Sequence, residues 1–256
     1  VGPNFFSSYA LNHHSYLNVG YMVTCLSNIA MLHFFYKKRG LTPPQALYRH
    51  VRELWELIKL CTFPDGRLLR IGGDTRVRYC YCQDYGIPTW LLIEDLFGDR
   101  EACAFEAGWL KQVEKEQQVN RDGSFLSHRL AEMSKTSPLY YTRLESDRAV
   151  NLSTGAYWRR IHSLPTQVPK PSIPVAFWSD DYHGACLQRG KRRIASFVWD
   201  AAQPPQGLCL PPTTSNLAEW RSNLSGEIVG LGTTNEQRPV THHKQGFTGE
   251  FITWGR

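Results

Sequence analysis

The 256-residue chain contains no run of eighteen consecutive apolar residues, the length a bilayer-spanning helix needs. Its most apolar stretch, Val19 to Phe35, is interrupted by Asn28 and His33 and reads as a buried helix. No C-x-x-C pair occurs: Cys80 and Cys82 stand two apart, the spacing of neither a redox motif nor a zinc knuckle. The seven cysteines are an odd number spread over predicted helix and strand, so they read as buried reduced thiols and not as a disulfide framework. No zinc-finger, RNA-binding or basic-zipper pattern is present, which argues against a nucleic-acid partner. No repeat of fixed period appears. The chain opens on Val1 without a signal stretch and closes on Phe251–Arg256, which reads as a live strand; both ends suggest a piece of a longer protein and leave localisation open.

What is present is a basic excess. Twenty-nine Lys and Arg against 23 Asp and Glu leave a net charge of +6, which favours an anionic partner. The cations are scattered in small clusters, Lys37-Lys38-Arg39, Arg159-Arg160 and Lys191-Arg192-Arg193. An acidic polysaccharide suits that distribution. Hydrophobic content of 42% and charged content of 20% are ordinary for a soluble globular chain.

Two textures follow one another. Ser15 to Lys38 carries a helical pattern stopped by Gly40, and Thr42-Pro43-Pro44 opens a second helix, capped by Thr42, that runs to about Cys61. Helices are also predicted over Ile87–Leu96, Arg100–Gln118 and Arg143–Ile161, with a turn at Phe63-Pro64-Asp65-Gly66 and a loop at Asn120–Ser124. Four prolines between Pro165 and Pro174 then exclude helix. Beyond them lie short strand-like runs at Ala185–Gln188, Ile194–Trp199, Glu227–Gly230, Pro239–His242 and Glu250–Trp254. The expectation is an α+β chain in two parts: residues 1–164 as a helical α/α array, a bundle or part of a toroid, and residues 165–256 as an antiparallel sheet or part of a β-sandwich.

The densest polar cluster of the helical part, Leu11-Asn12-His13-His14-Ser15, falls at the expected mouth of the first helix. There, Asn12 or Ser15 caps the helix, or an amide beside two imidazoles neutralises a carboxylate at a helix N-terminus. The connection Phe63–Arg76 is long, polar and Gly-rich, a kind of segment that tends to carry function. It leads into Val77–Tyr85, where Tyr79, Tyr81 and Tyr85 sit among arginines that include Arg76 and Arg78. A tyrosine stripe serves packing, but a guanidinium beside a phenol also stabilises phenolate and makes tyrosine a usable base.

Asn-His at a helix start, a Pro-Asp-Gly turn some fifty residues on, and a tyrosine about fifteen residues later resemble the heparinase II/III group of polysaccharide lyases. The resemblance implies an α/α toroid followed by an antiparallel β-sandwich, and β-elimination of a uronic-acid-containing polysaccharide of glycosaminoglycan or alginate type. In such a reaction, donors on the uronate carboxylate stabilise the enolate-like intermediate. A base removes the C5 proton and an acid protonates the departing oxygen. By this resemblance Asn12 and His13 bind the carboxylate, with His14 as substitute, and Tyr79 is the acid and a candidate base. Tyr81 and Tyr85 are alternatives to Tyr79, and His14, Arg76, Arg78, Tyr81 and Tyr85 line the substrate. Asp74 stands roughly where relatives carry a glutamate. His183, in Asp180-Asp181-Tyr182-His183-Gly184, is the opposing base reaching in from the β part.

No cofactor is implied as necessary. Asp180, Asp181 and His183 with His242 or His243 would be the ligands of a structural divalent metal in the β part, although their spacing is not compact. Trp158, Trp178, Trp199, Trp220 and Trp254 are either core residues or sugar-stacking faces. Two other functions stay open at this level: a glycoside hydrolase using two of Asp65, Asp74, Asp84 and Asp122, and a non-catalytic carbohydrate-binding protein. Oligomeric state is not legible.

Overall fold

A computed structural model describes residues 7–13, 16–71, 79–165, 168–169, 172, 174–200, 206–215, 242–247 and 250–255. The chain begins with a two-residue ribbon, β1 (Asn12–His13) against β2 (Tyr16–Leu17), paired Asn12 to Leu17 and His13 to Tyr16. Helix α1 (Val19–Lys38) follows. It starts at Val19 and not near Ser15, because Asn18 is the cap: its Oδ1 accepts the Tyr21 N–H at 3.1 Å. Asn12 and His13 therefore precede the helix on a strand, and the anion-binding helix end expected at them lies instead at Asn18. Met22, Val23, Leu26, Ala30 and Phe34 form the inward face of α1. The helix is long and apolar enough to meet the length and composition of a membrane span. Here it is a core helix, packed on α4 (Gly86–Phe97), whose buried Thr89 hydroxyl donates to the Val23 carbonyl.

The second predicted helix divides in two. Gln45–Tyr48 makes a single 3-10 turn, His50 takes a φ of 62°, and α2 (Val51–Leu60) begins after it. Helix α3 (Tyr79–Asp84) precedes α4, the Gly98-Asp99 turn leads into α5 (Arg100–Asn120), and α6 (Ala131–Thr136) precedes α7 (Pro138–His162).

Two Asp-Gly turns close helices in the same way. After α2, Asp65 accepts the Arg67 N–H and Gly66 has φ 81°; after α5, Asp122 accepts the Ser124 N–H and Gly123 has φ 82°. The first is wedged into the core: a Cβ on Gly66 would lie 2.4 Å from the Phe105 carbonyl oxygen and 2.9 Å from the Trp109 Cβ. Gly108 admits the turn from the other side, where an added Cβ would fall 2.6 Å from the Asp65 Cα. Glycine is required at Gly66 by both backbone sign and space.

Helix α7 is fixed inward by two arginines. Arg148, 1% exposed, bonds both Asp84 oxygens through Nε at 2.9 and 3.2 Å and Glu116 through Nη1 at 2.6 Å. Arg159 joins Glu106 and Glu94 in the same manner nearer the helix end. These pairs carry little net stability by themselves but strongly disfavour any arrangement that separates them.

The β part opens at Ala176. Strands β3 (Ala176–Asp180), β4 (Ala185–Arg189), β5 (Ile194–Val198) and β6 (Gln206–Leu210) form an antiparallel sheet in sequence order. β7 (His242–Phe247) and β8 (Glu250–Gly255) form a separate ribbon. Gly246 of that ribbon lies against the Phe177 ring of β3. The expected strands at Glu227–Gly230 and Pro239–Thr241 lie outside the described residues. Every residue of β4 is buried, and Ala185, Leu187, Ile194, Val198 and Leu210 belong to the same apolar core as the helices. The helical and β parts thus share one core, and an arginine locks them. Arg189, at the end of β4, donates from Nη1 to the carbonyls of Lys59 (3.3 Å), Leu60 (2.7 Å) and Thr62 (2.6 Å) at the C-terminus of α2. Those carbonyls are among the groups a helix end leaves unsatisfied.

Candidate functional site

The residues with chemistry concentrate where α1, α3, α4 and α7 meet. The β1–β2 ribbon is closed by a bond from the Asn18 N–H to the Leu11 carbonyl, which brings His13 back over the first turn of α1. There its imidazole faces the Tyr21 ring at a centroid separation of 3.8 Å and an angle of 32°. Tyr21 and Tyr85 both pack on the small apolar cluster of Cys82, Leu126 and Leu144. Gly20 makes this possible, because a Cβ there would fall 2.7 Å from the Cys82 Cβ and hold α3 away from α1. Tyr85 sits at the junction of α3 and α4, half-buried.

Burial, then the carboxylate of Asp147, pushes the Tyr85 phenol above its ordinary pKa, and Arg143 opposes this without reversing it. These surroundings favour the protonated form of the Tyr85 phenol. Tyr79 and Tyr81 lie on the backbone of α3; their side chains, with His14, Asp74, Arg76 and Arg78, lie outside the described residues. Asn12 is half-buried on β1, one residue before His13. The structure thus gathers His13 and Tyr85 into one neighbourhood and adds three residues the sequence reading missed: Tyr21, Arg143 and Asp147. Tyr21 was signalled by its place three residues after the Asn18 cap, and Arg143 and Asp147 by their i, i+4 spacing on one helix.

His183 has a different setting. It is fully buried, and Asp180 grips it twice, through the His183 N–H at 2.9 Å and the Nδ1 atom at 3.0 Å. Asp180 also accepts a hydrogen bond from the Ser8 hydroxyl. The segment leading to Asn12 and His13 is thereby tied to the β sheet. His183 has no exposed surface in this structure, and its bonds to Asp180 make it part of a latch between the N-terminal segment and the sheet.

Of the candidate metal ligands, the side chain of His242 lies outside the described residues. Asp181 pairs with Lys244, His243 stacks on Trp254 with centroids 5.4 Å apart, and the described residues include no group of three His, Cys, Asp or Glu poised for a metal. Among the tryptophans, Trp158 and Trp199 are buried, Trp178 packs on the core and Trp254 is half-exposed on the ribbon. Trp220 lies outside the described residues. A further polar chain runs from Tyr48 to His33 (2.7 Å), to Asp95 (2.9 Å) and on to Lys37, joining the 3-10 turn, α1 and α4.

The carboxyl groups predict how stability follows pH. Burial alone would raise Asp95, Asp99 and Asp180, but hydrogen bonds from His33 and Lys37, from Lys59 and Trp55, and from His183 hold them below their ordinary 3.8. Such groups contribute stability above the unfolded pKa and lose it as the pH falls through the folded one. Asp84 and Glu106 are raised by burial, so they weaken the fold at neutral pH and cease to do so as the pH falls towards ordinary carboxylate values. The thermal midpoint is accordingly expected to peak in mildly acidic buffer and to fall below pH 3.8. A midpoint that declines steadily from neutral pH downwards would contradict this assignment.

Comparison with protein-family models, curated proteins and solved structures returned no match.

Proposed function

We propose that the chain is a polysaccharide lyase that cleaves a uronic-acid-containing polysaccharide by β-elimination. The observation that carries the reading is the imidazole of His13 laid against Tyr21, which packs on the same apolar cluster as Tyr85, just after Asn12 and at the foot of a helical array. An amide and an imidazole on one strand supply donors for a uronate carboxylate, and a protonated phenol supplies the acid. The net charge of +6 favours the polyanion. In this reading Asn12 and His13 neutralise the carboxylate and Tyr85 protonates the leaving oxygen. Tyr79 and Tyr81, on the adjacent α3, are candidates for the base. No metal or cofactor is needed.

The same proposal gives the finer architecture. Helices whose second members end in matching Asp-Gly turns suit part of an α/α toroid, and a four-stranded antiparallel sheet with a ribbon against it suits part of a β-sandwich.

A hydrolase is less well supported. Asp65 is held by its own turn and by Ser215, Asp84 by Arg148 and Trp109, and Asp122 by Ser124. Carboxylates so engaged are poorly placed to face each other across a glycosidic bond. Incubation with polyuronates is expected to raise ultraviolet absorbance as the conjugated product forms, and Tyr85→Phe is expected to lower the rate by about 10²-fold or more. Polymer binding without turnover would favour the non-catalytic reading.

A further inference from the structure

The turn between β3 and β4 holds a fully buried histidine, and its bonds lead from the sheet to the ribbon that carries Asn12 and His13. Asp180 and Ala185 are the last paired residues of the two strands, so His183 lies in the turn itself. Its main-chain N–H donates to the Asp180 Oδ1 at 2.9 Å, and its Nδ1 lies 3.0 Å from Oδ2. An ionised carboxylate only accepts, so Nδ1 carries the proton. Gly184 makes the turn tight. Its φ is 55°, and a Cβ there would fall 2.5 Å from the Asp200 Cβ and 2.8 Å from the Trp199 Nε1. The Trp199 N–H donates to the Gly184 carbonyl at 2.8 Å and closes the turn on β5. The sheet thus holds the Asp180 carboxylate in a fixed place.

Oδ2 has a second partner from outside the sheet. The Ser8 hydroxyl donates to it, and the same hydroxyl oxygen accepts the Ala10 N–H at 3.3 Å. Ala10 and Leu11 are buried in the shared core. The Leu11 carbonyl accepts the Asn18 N–H at 3.0 Å, and Asn18 caps α1. Asn12 and His13 are the next two residues of the strand, and His13 faces the Tyr21 ring. The segment therefore has two fastenings, to the helix through Leu11 and to the sheet through Ser8. The first is a neutral main-chain bond; the second has a charged acceptor and belongs to the stronger class. Tyr9, between them, has a φ of 62°, a bend that costs energy in a residue other than glycine and relaxes when either end is released.

We propose that Asp180, acting through Ser8, is a positioning residue for Asn12 and His13, so that the β part sets where the two carboxylate donors of the helical part stand. The consequence for catalysis rests on the lyase reading; the positioning does not. In the elimination the donors count most as the uronate carboxylate takes up enolate charge, so a displaced strand lowers turnover more than binding. The candidate site is then assembled by the docking of the β part on the helices and not by the helices alone.

The test begins with Ser8→Ala in the full chain, which removes the link and leaves the Asp180–His183 turn intact. Amide hydrogen exchange at Asn18, whose bond to Leu11 must open for the strand to move, should quicken about tenfold. The His13 ring-proton signals should shift as the contact with Tyr21 loosens, while exchange in β4 and β5 keeps the parent rate. Ser8→Thr, which retains the hydroxyl, should restore both. Asp180→Ala should quicken exchange at Asn18 by a similar factor and add little there to Ser8→Ala, because the two act through one bond. Unchanged exchange at Asn18 in Ser8→Ala overturns the proposal, as does a quickening spread evenly through β4 and β5. On a polyuronate, kcat should fall about tenfold in Ser8→Ala, with KM altered less, and recover in Ser8→Thr. Equal turnover by the parent and Ser8→Ala, despite a loosened strand, would uphold the lyase reading and defeat the positioning role. A loosened strand in a chain whose parent turns over no polyuronate would uphold the positioning and defeat the lyase reading.

Discussion

Replacing Arg148 with methionine is expected to cost about 3–5 kcal/mol of stability, the loss that follows when one partner of a buried ion pair is removed. The reason is Asp84. Its carboxylate is 1% exposed, is bonded twice by the Arg148 Nε and, among the described residues, otherwise receives only the Trp109 indole N–H at 2.9 Å. Without the guanidinium, Asp84 is either a buried uncompensated anion or must take up a proton. Glu116 suffers less, because Arg129 also pairs with it at 2.5 Å. Thermal unfolding should show the midpoint falling by roughly 10 °C, and the loss should shrink in acid as Asp84 protonates. A double variant, Asp84→Leu with Arg148→Met, should recover part of the loss by removing both charges. If the single and double variants are equally unstable, packing and not charge is what Arg148 supplies. Because Asp84 immediately precedes Tyr85, the single variant should also disturb the candidate site.

Replacing Arg189 with methionine is expected to cost about 3 kcal/mol or more, through a different mechanism. Arg189 has no carboxylate partner among the described residues; its partners are three main-chain carbonyls at the end of α2. Burial pulls its pKa down to about 10, yet it stays charged at neutral pH. The negative end of the α2 dipole supplies the missing anion in part. Methionine fills much of the volume but takes the guanidinium donor from the Leu60 and Thr62 carbonyls, at about 1–3 kcal/mol for each one not rehydrated, while the Lys59 carbonyl keeps the Thr62 N–H at 3.2 Å. Arg189→Lys should recover a fraction, since all three bonds come from one nitrogen and an ammonium has three donors. Hydrogen exchange should localise the effect to β4 and the last turn of α2, where the helical and β parts meet. Uniform destabilisation without local opening would mean that the clamp does not hold the sheet to the helices.

Much of the architecture is legible in the sequence because it depends on local signals. The apolar periodicities of α4 and α5 and the turn between them were readable from residues in contact along one helix face. The texture change near Pro165 was readable because proline excludes helix. Other features depend on distant partners. Asn18, not Asn12 or Ser15, caps α1, since the preceding residues are drawn into a ribbon by a bond between Asn18 and Leu11. Strands β3 and β6 were missed because their residues alternate poorly, and they acquire strand form by pairing with β4 and β5 respectively. Within the site, His13 and Tyr85 were identifiable as residue types, whereas Tyr21 between them was not. The burial of His183 was equally illegible, because it arises from the fold around Asp180.

The reaction class is tested most directly by digesting a polyuronate in water enriched in heavy oxygen and weighing the products. A β-eliminating lyase breaks the bond without water, so fresh ends should carry no heavy oxygen and one of each pair should be unsaturated. Heavy oxygen incorporated at the new reducing end, with both fragments saturated, would make the chain a hydrolase and contradict the account.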